Sequence, residues 1–83
     1  MAVGFVLINV VPTSESDVYR KLSETEEVFE LHSLFGEYDL IAKIQTESFE
    51  DLADVIKNKI RSIEGIVDTK TLTGTKFLKG GFK

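Results

Sequence analysis

Val3 to Val11 is an almost unbroken apolar run, interrupted only by Gly4 and Asn9 and rich in branched side chains. A strand with one wet face alternates apolar with polar residues, so a run of this kind predicts a strand covered on both faces. That is a severe demand on a chain of 83 residues without cysteine. A domain of this size buries only a little over ~60% of the surface its unfolded chain exposes. Disulfides and thiolate metal sites are not available to supplement the core. Association with further copies is the remaining source of burial. The length suits one domain over residues 1–83. The apolar start is too short to cross a bilayer and has no basic leader, so it reads as a strand, with the cytoplasm as the default location. A net charge of −4 argues against a general phosphate-binding surface, because affinity for nucleic acid rests on Lys and Arg neutralising phosphates.

Five further elements follow the first strand. Pro12 and Thr13 stop it, and Ser14 with Asp17 resembles a capping box opening a short helix with Val18 and Leu22 on its inner face. Val28 to Phe35 alternates Phe29, Leu31, Ser33 and Phe35 against Glu30, His32 and Leu34, as an edge strand with one buried face does. Tyr38 to Thr46 sets Leu40, Ala42 and Ile44 against Ile41, Lys43 and Gln45, which predicts an interior strand. Ser48 and Asp51 form a second capping-box candidate, after which Phe49, Leu52, Ala53, Ile56, Ile60 and Ile63 recur at helical spacing. Gly65 is placed to end that helix. In the final strand Thr69, Thr71 and Thr73 share one face, opposite Lys70 and Leu72, and residues 79–83 are expected to form a mobile tail.

The order strand, helix, strand, strand, helix, strand predicts an α+β, ferredoxin-like βαββαβ antiparallel sheet with both helices on one face. Its first and third strands are central, and these are the two with apolar residues on both faces. Helices cover only one side, so the outer side of the sheet is expected to pack against a second copy.

Residues with catalytic chemistry are sparse. His32 lies mid-strand with no nucleophile pattern beside it, so a surface or packing role is expected. The acidic residues Glu15, Glu24, Glu26, Glu27, Glu50, Asp51 and Asp54 fall at helix starts and on helix surfaces, where they complement the helix dipole without a metal. Gly-rich phosphate loops are absent. One compact polar constellation stands out, Gly36-Glu37-Tyr38-Asp39 between the second and third strands. By its residues alone it is either a plain turn or a cradle whose freed amides meet a small anionic group.

This element, the Ser48 helix closing in Ile63-Glu64-Gly65-Ile66, and the Val67 to Leu72 strand resemble the C-terminal effector domain of Lrp/AsnC transcriptional regulators, the RAM domain. The resemblance runs from Val3 to about Leu78. Glu64-Gly65-Ile66 stands where the family usually has a proline form, and the chain opens at the first strand, with no helix-turn-helix before it. The resemblance implies a stand-alone, non-enzymatic regulatory domain without cofactor or metal. It implies homodimers that assemble into rings, and an amino acid effector bound where dimers meet, at Gly36, Tyr38 and Asp39 with Thr69 and Thr71. Backbone amides suit an α-carboxylate, and Asp39 or a threonine hydroxyl suits an α-ammonium group. Co-assembly with a full-length Lrp/AsnC-type regulator is an implied partnership, while direct nucleic acid binding is not expected. Three alternatives remain. An ACT domain shares the element order, but Val11-Pro12-Thr13 lacks its glycine; a cofactor-free ferredoxin-like monooxygenase has only His32 and Asn9 as cavity candidates; and a purely structural assembly module needs no ligand.

Overall fold

The computed structural model describes residues 1–73. It contains β1 (Ala2–Val10), a 3-10 turn (Pro12–Ser14), α1 (Glu15–Ser23), β2 (Val28–Ser33), β3 (Leu40–Thr46), α2 (Phe49–Val55) running into a π-helical segment (Ile56–Ile60), and β4 (Ile66–Thr73). The expected tail, 79–83, lies outside the described residues. The four strands form one sheet in the order β2-β3-β1-β4, with every neighbouring pair antiparallel. Each helix therefore carries the chain over an intervening strand, and β1 and β3 are central, as the ferredoxin-like order requires.

Alternation sorts β1 cleanly. Ala2, Gly4, Val6, Ile8 and Val10 are buried, while Val3, Phe5, Leu7 and Asn9 are half-buried. The first set joins Leu40, Ala42 and Ile44 of β3 under Val18 and Leu22 of α1 and Leu52, Val55, Ile56 and Ile60 of the second helix. Every buried residue named in that core is hydrophobic, with no buried polar side chain among the described residues.

Both helix starts were expected to be capped by serine, and only one is. The Ser48 hydroxyl accepts the Asp51 amide at 3.1 Å. Ser14 has φ −107° and ψ 0° and makes no side-chain cap. A capping serine needs extended backbone to swing its oxygen over the first turn, whereas Pro12 starts a 3-10 turn in which the Ser14 amide already bonds to the Val11 carbonyl at 2.8 Å. The second helix also departs from plain 3.6-residue spacing. A wide turn closes with the Arg61 amide on the Ile56 carbonyl at 2.8 Å, and Val55 is buried where Phe49 and Ala53 were expected.

Strand β2 corrects a second expectation. A bulge between Val28 and Glu30 gives Val28 the inward position opposite Ile44. Phe29 is thereby left 61% exposed, and Phe35, beyond the end of the strand, is wholly exposed. Only Leu31 of the expected inner set packs against the core.

Candidate functional site

Residues 34–39 connect β2 to β3, closed by the Leu34 amide donating to the Asp39 carbonyl at 2.8 Å. Gly36 turns the chain with φ +122°, a backbone conformation that side chains with a Cβ rarely adopt. A Cβ at this position meets nothing within 4 Å, so the space over the turn is open in this chain. Tyr38 is half-buried and Glu37 exposed.

Asp39 has a structural task that local sequence does not reveal. Its amide donates to the Ile8 carbonyl at 2.9 Å, and its carboxylate Oδ2 accepts the Val10 amide at 2.9 Å. The residue thus extends the β1–β3 pairing beyond Ile8 and Leu40. It does so where β1 meets β4 with a bulge between Asn9 and Val10. One carboxylate oxygen expected to face an ammonium group is therefore already committed to the main chain.

The threonines stand elsewhere. Thr69 lies opposite Ile8 and Thr71 opposite Val6, on the β4 side of β1. Leu40, next to Asp39, lies opposite Ile8 on the β3 side. Two strand spacings separate the threonine row from the turn, about 10 Å. Within the chain Gly36, Tyr38 and Asp39 are neighbours along one turn, and Thr69 and Thr71 are not brought to them. Thr69 is half-buried and Thr71 exposed, while the neighbouring Thr73 hydroxyl donates to the Val3 carbonyl at 2.9 Å.

Thr69 instead lines a cavity of about 150 Å³ with Arg61, Ile66, Val67 and Asp68. No motif marks Arg61 or Asp68, and sequence reasoning passed over both. Larger openings lie at Met1, Phe29 and Gln45 to Glu47, about 380 Å³, and at Glu15, Ser16, Tyr19 and Ser33, about 560 Å³.

The outer side of the sheet carries Val3, Phe5 and Leu7, flanked by Leu72 opposite Phe5 and by Ile41 opposite Leu7. Charges frame this apolar centre. Glu30 on β2 meets Lys43 at 3.4 Å and His32 at 3.5 Å, and both hydrogen bonds hold its carboxyl below its ordinary value, the one from His32 most. His32 pairs with Ile41 and Asn9 with Asp68, so both candidates for an internal polar cavity lie on strand positions away from the helices. Among the described residues no group of three His, Cys, Asp or Glu side chains is placed to hold a metal ion.

Comparison with known proteins places this architecture. The chain is 34% identical over 76 residues to the HTH-type transcriptional regulator FL11 of Pyrococcus furiosus, covering 92% of this chain and 50% of FL11. The chain thus spans about half the length of the curated relatives it matches. The crystal structure of TTHA0845 from Thermus thermophilus superposes with a TM-score of 0.87 at 32% identity, over 94% of this chain and 98% of that one. The same fold recurs, at 16% identity and a TM-score of 0.81 over 90% of this chain and 50% of the other, in the transcriptional regulator NMB0573 of Neisseria meningitidis, solved as a complex with L-Met. The family model of the Lrp/AsnC ligand binding domain matches residues 3–80, and on that match the chain belongs to the Lrp/AsnC ligand-binding domain family.

Proposed function

We propose that this chain is a regulatory domain that binds a free amino acid and couples that binding to its own assembly. The observation that carries the reading is the family match over residues 3–80. The open turn at Gly36 and the apolar outer side of the sheet support it. Two copies pack through Val3, Phe5, Leu7, Ile41 and Leu72, and dimers meet further to form a higher oligomer. The effector sits between dimers, where the Gly36–Asp39 turn of one protomer faces β4 of another. This resolves the separation of the turn from Thr69 and Thr71, because a neighbouring copy supplies the side of the site that one protomer lacks. The Asp39 carboxylate has a second oxygen for the ligand while Oδ2 keeps the Val10 amide.

The domain acts in the cytoplasm, as a partner of other copies or of a full-length Lrp/AsnC-type regulator, without DNA binding of its own. Its net charge of −4 opposes phosphate contacts. It is not an enzyme in this reading: the space between sheet and helices is filled by hydrophobic side chains, and His32 and Asn9 lie outside it.

A thermal-shift screen of the twenty amino acids tests the proposal. Binding to the native state alone contributes about 2.7 kcal/mol at one hundred times Kd, or roughly 10 °C or more in a chain of this size. At least one amino acid is expected to raise Tm in a saturable way. No response to any of them overturns the reading.

A further inference from the structure

We propose that the groove lined by Met1, Phe29, Gln45, Thr46 and Glu47 is a docking site for a segment of this same chain, Lys76-Phe77-Leu78, which follows β4 and crosses the start of β1 to reach it. The groove, about 380 Å³, is lined by none of the residues through which copies are proposed to pack. Two large apolar side chains meet at this one opening, and among the described residues Met1 is left 88% and Phe29 61% exposed. The bulge between Val28 and Glu30 is what puts Phe29 there. Together they form a patch rather than single exposed residues.

Position favours this occupant. Thr73, Gly4, Ile44 and Val28 form one row across the sheet, so β4 ends level with Gln45 and Phe29, the next residues along β3 and β2. The Thr73 hydroxyl fixes that end by donating to the Val3 carbonyl at 2.9 Å. From β4 the groove is two to three strand spacings away, about 10–14 Å. The five residues from Gly74 to Leu78 span up to about 17 Å when extended. The segment is long enough.

Charge points the same way. All fourteen acidic residues lie within residues 1–73, with seven of the ten basic ones, whereas residues 74–83 hold Lys76, Lys79 and Lys83 and no acid. The groove is lined by one acid, Glu47, and no base. Glu47 takes part in no ion pair among the described residues, so its charge is available to a lysine beside the groove. Phe77 and Leu78 cover the open apolar pair, while Lys76 and Lys79 on either side keep their ammonium groups in water near the Glu47 carboxylate. The family match runs on to residue 80, which places the segment inside the matched domain.

Nuclear magnetic resonance of the full chain tests the docking. Side-chain protons of Phe77 and Leu78 are expected to show Overhauser contacts to Met1 and Phe29, with backbone order parameters of Lys76 to Leu78 near the rigid value of about 0.85. Phe29→Ser, at an exposed position, is expected to release the segment to below about 0.6. Phe77→Ser is the reciprocal variant and leaves the sheet untouched; it is expected to move the amide signals of Phe29, Thr46 and Glu47. Order parameters below about 0.6 for the segment in the parent overturn the proposal. An ordered segment without contacts to Met1 or Phe29, which neither variant loosens, overturns it as well, because the segment then packs elsewhere. In a sample that mixes labelled with unlabelled chains, contacts found only between copies overturn it in favour of a second copy's segment in this groove.

Discussion

Replacing Gly65 by alanine tests how the end of the second helix is closed against the first. Gly65 has φ +106°, and an added Cβ falls 2.7 Å from Cβ of Ser14 and 3.0 Å from Cγ2 of Val18. Unstrained carbon contacts lie at about 3.5–4.0 Å. The Ser14 Cβ is fixed by its backbone in the 3-10 turn, and Val18, branched at Cβ and fully buried in α1, has essentially one rotamer. Neither neighbour yields without moving main chain. An unfavourable φ costs about 1–3 kcal/mol, and overpacking costs about 1–3 kcal/mol more. The whole stability of a chain this long is about 4–12 kcal/mol. Since each kcal/mol shifts Tm by roughly 4–8 °C in a domain of this size, Gly65→Ala should lower Tm by about 10 °C or more. Circular dichroism melts at one matched protein concentration read this directly. Gly36→Ala is the control: it carries the same kind of positive φ, +122°, but its added Cβ meets nothing within 4 Å, so only the conformational cost applies. A Gly65→Ala variant that melts no lower than Gly36→Ala would refute the close approach of the β4 entry to α1.

Three further outcomes are expected. Asp39→Ala strands the Val10 amide and should cost about 1–3 kcal/mol in urea denaturation, with Asp39→Asn losing less because it keeps an acceptor; an Ala variant as stable as the parent contradicts the clamp. Phe5→Glu puts a charge in the apolar outer side of the sheet and should yield a folded chain of lower mass by light scattering, whereas an unchanged mass would show that the copies do not meet there. The Glu27–Lys59 hydrogen bond, 2.8 Å, lowers the Glu27 carboxyl below 4.5 and raises the Lys59 ammonium above 10.5. Its stabilisation is therefore present above the ordinary carboxyl value and fades as pH falls through the lowered one, and it fades again as pH rises through the raised lysine value. The Tm difference between parent and Lys59→Met should stay level from about pH 5 to 10 and shrink on both sides; a difference that grows in acid reverses the sign and rejects the pair.

What was legible in the sequence was whatever a repeating pattern or a single local bond decides. The double-sided apolar character of Val3 to Val11 and Leu40 to Ile44 named the central strands, and the Ser48 cap and the positive φ of Gly65 appear where local chemistry puts them. Features set by partners far along the chain were not legible. The bulge that turns Phe29 outward is a property of the β2–β3 register. The π turn at Ile56–Ile60 differs from an α turn by about one residue, too little for the spacing of apolar residues to distinguish. Asp39 looked free for a ligand because its acceptor role toward Val10 spans 29 positions. The Gly36, Tyr38 and Asp39 cluster is local in sequence, but Thr69 and Thr71 belong to another strand pair, and Thr69 comes to line one cavity with Arg61 and Asp68 only once the second helix has returned the chain to the sheet.

Sedimentation velocity, run over a series of protein concentrations with and without the amino acid that gives the largest thermal shift, addresses the central claim most directly. If the effector binds where copies meet, it must change their association, and by linkage its own affinity must depend on protein concentration. The account predicts a shift of the sedimenting species on addition of the amino acid, with half-saturation that moves as the chain is diluted. An amino acid that saturates the chain while leaving the distribution of species unchanged at every concentration would contradict it.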